Sequence, residues 1–204
     1  MLKTTETCYR SLTVAQGTAA SINHDTLKKF VLWDDAITGL FPPQGLGDGN
    51  RIGDEIYITG IKLRMQFEMP QDRRNTKIKL WFVPFEKTQG YPDVQADFQH
   101  NVSGNTFLDP IQSKRWKGTK YLGMYQLKAT DQTTGVQDKT LFIEKWLPMY
   151  RKVTFKEDGS QVIAGGIPAF GWVVATAYDT YSTFQTDTVV SRGEFTATMY
   201  YKDP

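Results

Sequence analysis

The chain has 204 residues, 40% of them apolar and 13% aromatic, which fits one domain, or one domain with an arm, and favours strands and large contact surfaces. Lys and Arg number 24 against 22 acidic residues, a net charge of +2 with a sequence pI near 8.5. That balance is not by itself the footprint of a nucleic-acid-binding domain, whose pI usually exceeds about 9 with clustered basic residues. The single cysteine, Cys8, excludes an internal disulfide framework, no apolar run approaches the ~20 residues of a membrane span, and the N-terminus lacks a signal-peptide core, so a soluble protein is expected.

Residues 1–23 are polar, Thr-rich and weakly patterned, and read as an arm or an edge strand. Asp25 to Val31 fits one helical turn, with Asp25 as N-cap and Leu27, Phe30 and Val31 on one face, and fits a strand equally well. Phe41 to Asn50 is turn chemistry throughout. A long two-faced strand follows, from Arg51 to Met69. From Ile61 onward Ile, Leu, Met, Phe and Met alternate with Lys, Arg, Gln and Glu, the period of a strand with one wet face. Before Gly60 the apolar residues Ile56 and Ile58 sit on the opposite parity. A bulge at Thr59-Gly60 absorbs that slip.

After the polar loop Pro70 to Thr76, Ile78, Leu80 and Phe82 mark a second strand up to Pro84. Glu86 to Arg115 has no clear period, and loops of that length inside a compact domain are functional or carry short elements of their own. Strand patterns resume at 121–128, 140–147 and 149–156. Ile167 to Tyr178 is apolar on both parities, as in a strand packed on both faces. From Val189 to Lys202, Phe195, Ala197, Met199 and Tyr201 alternate with Glu194, Thr196, Thr198 and Tyr200. About eight strands without a convincing long helix predict an all-β fold, with a jelly roll, an immunoglobulin-like sandwich or a barrel as the common solutions. The missing Cys pair and the uneven loops favour a single eight-stranded antiparallel jelly roll with a long surface loop.

The residues that would carry chemistry are few. His24 and His100 offer no metal-ligand spacing, no Gly-x-Ser-x-Gly or phosphate-cradling glycine loop is present, and Gly45-x-Gly47-x-Gly49 opens no helix. Neither an enzyme nor a cofactor is expected. Basic residues gather at Lys28-Lys29, Arg73-Arg74, Lys114-Arg115-Trp116-Lys117 with Lys120, and Arg151-Lys152. The Lys114 to Lys120 stretch stands out, because an aromatic ring amid cations can stack on a base while the cations neutralise phosphates.

Arg51-Ile52-Gly53-Asp54-Glu55-Ile56, leading into Ile58-Thr59-Gly60-Ile61-Lys62-Leu63, resembles the first core strand in capsid proteins of circular Rep-encoding single-stranded DNA (CRESS-DNA, circovirus-like) viruses. The resemblance continues through Lys77-Ile78-Lys79-Leu80-Trp81-Phe82-Val83, Lys120-Tyr121-Leu122-Gly123-Met124-Tyr125 and the closing Ser191 to Tyr201, covering roughly residues 45–202. It implies a jelly-roll capsid domain over 45–204, preceded by an arm and lead-in segment over 1–44. Copies of the chain, 60 in the simplest T=1 shell, would tile a small icosahedral particle around a circular single-stranded DNA genome, located in the virion. The implied strands are 55–69, 77–84, 120–128, 140–147, 149–156, 161–164, 167–179 and 189–202. Loops 70–76, 129–139, 157–160 and 180–188 would gather at a five-fold axis, and 86–115 would cover the outer surface.

One departure from that family is plain. Its capsid proteins begin with an arginine-rich arm that neutralises DNA and often carries a nuclear localisation signal, whereas Arg10 is the only Arg in the first 50 residues. Either the arm has been removed from this chain or packaging takes another route; removal is the favoured expectation, with the nucleus as assembly site if such an arm exists. The nucleic-acid contacts expected are Arg10, Lys114, Arg115, Trp116, Lys117 and Lys120. Those expected between subunits are Arg73, Arg74, Tyr181 and Phe184, with Trp33 and Trp116 as further aromatic anchors. The chain's partners are then itself, single-stranded DNA and a host receptor that no motif identifies. A carbohydrate-binding jelly-roll module and an RNA-virus capsid protein are the competing readings.

Overall fold

A computed structural model describes residues 7–15, 20–31, 40–70, 73, 75–84, 98–100, 107–114, 116–128, 140–155, 171–179 and 189–203. These form nine strands: β1 (Thr7–Ala15), β2 (Ile22–Asn23), β3 (Thr26–Val31), β4 (Glu55–Glu68), β5 (Asn75–Pro84), β6 (Lys120–Lys128), β7 (Thr140–Thr154), β8 (Gly171–Asp179) and β9 (Val189–Lys202). In β4 the inward set is Ile56 and Ile58, then Ile61, Leu63, Met65 and Phe67, all buried. The parity changes where the sequence predicts it. Pairing with both β7 and β9 shifts register between Ile58 and Gly60, and the Thr59 hydroxyl donates to the Tyr200 carbonyl at 3.0 Å. Close approach adds a second demand for glycine here, since a Cβ on Gly60 would lie 2.4 Å from Trp146 Cζ2 and 2.7 Å from the Leu147 carbonyl oxygen.

The strands pair antiparallel in two sheets, β1-β9-β4-β7, with β2 also on β9, and β3-β8-β5-β6. With the two-residue β2 set aside, the eight longer strands in chain order run 1-8-3-6 in one sheet and 2-7-4-5 in the other. Only β5 and β6 are consecutive neighbours; every other connection crosses between sheets. That wrapping is a jelly roll, and the all-β, two-sheet expectation holds. Between the sheets lies one core, built from β4, β5, β8 and β9 with Ile22 of β2, Phe30 of β3, Leu122 and Leu127 of β6 and Ile143, Leu147 and Val153 of β7. Across it the Phe30 and Phe195 rings stack at 3.9 Å, and Phe67 meets Phe195 edge-on at 5.2 Å.

The β3-β8-β5-β6 sheet is covered on its far side as well. Leu27, Trp81, Val83 and Val174 form a second buried cluster with Phe98 and Trp116, and Ile111 packs against it. The described parts of the long 85–119 connection therefore lie over this face. Lys79 extends over the Phe107 ring, its Nζ 4.3 Å from the ring centroid, and donates to the Phe107 carbonyl. Burial lowers the Lys79 pKa. Two-sided cover explains why β8 reads as apolar on both parities: Val173, Ala175 and Ala177 face the central core, and Val174 faces the second cluster.

Several expected elements are corrected. The boundary between an arm over 1–44 and a domain over 45–204 does not follow the sheets, because β1 pairs with β9 and β3 with β8. The first jelly-roll strand is thus β1 and not 55–69. Of the two readings of Asp25 to Val31, the strand holds and the helical turn does not. Asp25 sits at φ 52 and its amide donates to the Ala177 carbonyl at 2.9 Å, which turns the chain into β3. Leu27 and Phe30 then point to opposite faces, and each enters its own cluster. Residues 140–154 form one strand, not two strands of 140–147 and 149–156, with Tyr150 at φ 47 marking an irregularity opposite the β4 bulge. As a result the chain leaves β7 beside Glu55, while β7 starts beside Glu68. β7 therefore ends at the opposite end of the sandwich to β4, β6 and β8, while 129–139, 157–160 and 180–188, expected to gather with 70–76, lie outside the described residues. The expected strand 161–164 lies outside the described residues.

Candidate nucleic-acid and subunit-contact surfaces

The expected nucleic-acid set does not form one surface. Lys114, Lys117 and Lys120 are exposed, the first two in the turn ahead of β6 and the third at its start, while Arg115 lies outside the described residues. Trp116, expected to stack on a base, is only 3% exposed. Its amide donates to the Gln112 carbonyl at 3.0 Å, and its own carbonyl accepts from the Thr119 hydroxyl at 2.8 Å. The ring faces Phe98 at 6.5 Å within the second cluster. Trp116 is therefore the anchor that holds the cationic turn to the sheet, since burial of an aromatic ring outweighs any gain from leaving it in water. Arg10 is on the opposite flank of the sandwich. It is half-buried on β1 opposite Met199, on the parity that faces Tyr201, whose hydroxyl pKa burial pushes up.

The expected subunit contacts fare similarly. Arg73 is 1% exposed and thus enclosed within the subunit, where it cannot meet a neighbouring copy as a side chain. Arg74, Tyr181, Phe184 and Trp33 lie outside the described residues. At this end of the sandwich polar groups are buried: the Thr76 hydroxyl donates to Asp179 Oδ2 and to the Val190 carbonyl, both at 3.2 Å, and the Asp179 amide donates to His24 Nδ1 at 3.2 Å. These bonds tie the strand ends that carry loops 70–76 and 180–188 to one another.

At the other end, Arg51 is a residue whose role sequence reasoning missed. Fully buried, it donates to the Gly53 carbonyl and to Asp54 Oδ1 at 3.0 Å, and its guanidinium lies 4.2 Å over the Phe155 ring. The turn before β4 is fixed to the end of β7 by that contact. The signal existed in the Arg51-Ile52-Gly53-Asp54 motif, but its aromatic partner is too distant in sequence to be inferred.

Among the described residues, large apolar side chains remain uncovered in four places, one of them Leu108 in the 107–114 segment. Phe142, Tyr150, Trp146, Tyr57 and Tyr9 lie on the strands of the β1-β9-β4-β7 sheet, Tyr121 and Met124 on β6, and Leu46 and Ile52 in the turn before β4. The exposed β4-β7 pair also carries an ion triad, in which Glu144 accepts from Lys62 at 2.8 Å and from Arg64 at 3.1 Å. These two hydrogen bonds hold the Glu144 carboxyl below the usual glutamate range. The folded value being depressed, the triad stabilises the fold at pH above the unfolded glutamate pKa, and this contribution is lost as pH falls through the folded value. A carboxyl NMR titration is expected to place the Glu144 midpoint below the usual ~4.3. In the double variant Lys62→Gln, Arg64→Gln the midpoint should return to it.

No family model matches the chain, and no curated protein matches it. Among solved structures the chain is similar to one described as the crystal structure of infectious bursal disease virus VP2 subviral particle, with 7% identity and a TM-score of 0.23. That alignment covers 98% of this chain and 42% of the other, so the chain spans less than half the length of its structural neighbour.

Proposed function

We propose that this chain is a viral capsid subunit, a jelly roll whose copies assemble into a small icosahedral shell around a circular single-stranded DNA genome. The observation that carries the reading is the combination of a closed, well-packed sandwich with large apolar side chains left outside it. Leu46, Ile52, Tyr121, Met124 and Phe142 are exposed on a subunit whose core is already filled by other side chains. Large apolar side chains left on the surface at several places suit a subunit that meets several copies of itself, and aromatic anchors dominate the energetics of such contacts. The sequence resemblance to CRESS-DNA virus capsid proteins supplies the kind of assembly and the kind of genome. Function then resides in contacts between copies and with packaged nucleic acid, with no catalytic residue or cofactor assigned.

The test is direct. Purified chain at moderate ionic strength is expected to give large, uniform particles by negative-stain microscopy and light scattering. Nucleic acid recovered from particles made in cells should be sensitive to DNase and to single-strand nuclease and resist RNase. A monomer at all salt and pH conditions tried sinks the reading, and RNase-sensitive contents replace the genome type.

A further inference from the structure

The outward face of the β1-β9-β4-β7 sheet can be laid out in rows from the strand register. One row holds Lys152, Tyr57, Lys202 and Thr7, the next Pro148, Gly60, Tyr200 and Tyr9, and the third Trp146, Lys62, Thr198 and Ser11. Gly60 leaves a gap in the second row, and the Trp146 indole lies in it. Three rings therefore line up across all four strands, Trp146 to Tyr200 at 5.4 Å and Tyr200 to Tyr9 at 6.1 Å. Tyr9 is 64% and Trp146 48% exposed. The rings are tilted by 65° and 37° to each other, so they form separate stacking stations and not one flat plate.

Charge on this face is unevenly placed. Around the rings, the cations Lys62, Arg64, Lys152 and Lys202 stand against the carboxylates Glu55 and Glu144, leaving two positive charges in excess. At the far end of the same face, Arg192 stands against Glu68 and Glu194, an excess of one negative charge. Cations beside a line of exposed rings complement a chain of phosphates carrying unpaired bases: each ring stacks on a base, and the Lys and Arg groups displace counterions. A neutral sugar polymer would use the rings and gain nothing from the cations.

We infer that this aromatic line, Tyr9, Tyr200 and Trp146 with Lys62, Lys152 and Lys202 beside it, is a binding track for single-stranded nucleic acid. The inference rests on the capsid reading and deepens it by assigning the surface that meets the packaged strand, in place of the Lys114 to Lys120 turn.

Fluorescence anisotropy of a labelled oligothymidylate 20-mer with the full chain tests it. Trp146→Ala and Tyr9→Ala are each expected to weaken binding by on the order of tenfold, as loss of one base stack does. The double variant Lys62→Gln, Lys202→Gln should lower the salt slope by about 1.4, at ~0.7 per phosphate contact on a single strand. Thr140→Ala, opposite Glu68 at the acidic end of the face, should bind as the parent chain does. Circular dichroism of each variant confirms that it folds.

Parent-like oligonucleotide affinity in both Trp146→Ala and Tyr9→Ala overturns the track. So does absence of binding by the parent chain at low salt, or Trp146-dependent binding of a neutral glucan without binding of the oligonucleotide. Loss of particle formation in these variants with unchanged oligonucleotide affinity also overturns it, by assigning the face to a second copy of the chain. If the parent chain forms no particles yet binds the oligonucleotide in a Trp146-dependent way, the track stands and the capsid reading falls.

Discussion

A chain begun at residue 45 is expected to lose the cooperative fold altogether. The deleted segment holds β1 and β3, an outer strand of each sheet, and their removal leaves β9 and β8 with unpaired edges. It also holds Ala20, Ile22, Leu27, Phe30, Leu40 and Phe41, all buried. Loss of a buried Phe side chain alone costs about 3–5 kcal/mol, and a Leu or Ile about 2–5. Deleting several together exceeds the roughly 5–15 kcal/mol by which domains are stable. The shortened chain should be insoluble, or give no thermal transition by circular dichroism, whereas the full chain should melt in a sharp transition. A soluble 45–204 fragment with a cooperative melt would show that β1, β2 and β3 are accessory.

This expectation contradicts what the N-terminal sequence suggests, and the reason is physical. β1 is an edge strand whose side chains from Thr7 to Thr13 are half-buried or exposed, so its Thr-rich sequence carries little apolar alternation. In β3 the apolar residues serve two different clusters, one on each side of the sheet, which mimics helical spacing over a few residues. β4 was legible because one face is wet and the other buried along its whole length, so a single slip at Gly60 shows as a change of parity. β7 reads as two strands because Pro148 and the positive-φ Tyr150 interrupt a pattern that pairing with β4 carries through.

The candidate surfaces were less legible than the fold. An aromatic residue among lysines has the same sequence signature whether it stacks on a ligand or anchors its own loop, and Trp116 does the latter. The line of Tyr9, Tyr200 and Trp146 joins three strands far apart in the chain, and only their register brings the rings together. One trace of it is visible in sequence: Tyr200 falls on the otherwise polar parity of β9, among Glu194, Thr196 and Thr198.

Phe195→Ala is expected to be the most damaging single substitution in the core. Phe195 projects from β9 in one sheet, stacks on Phe30 of the other at 3.9 Å with 19° between planes, and takes the edge of Phe67 from β4 at 5.2 Å and 87°. Truncation removes the ring that joins the sheets, deletes both aromatic pairs and leaves a cavity that neighbours on three strands cannot close without shifting. The cost should be about 3–5 kcal/mol, with about 0.5–1.5 kcal/mol of coupling for each ring pair beyond area burial. For a chain of this size that corresponds to a fall in Tm of roughly 6–20 °C, at about 2–4 °C per kcal/mol. Phe195→Leu, which keeps most of the volume, should fall well short of this. Because assembly raises apparent stability by mass action, the comparison belongs in urea, under conditions where the subunit is monomeric by sedimentation. Additivity in a Phe30→Leu, Phe195→Leu double-mutant cycle would show that the two sheets are not coupled through this stack. A coupling near 1 kcal/mol would place the joint between them at these two rings.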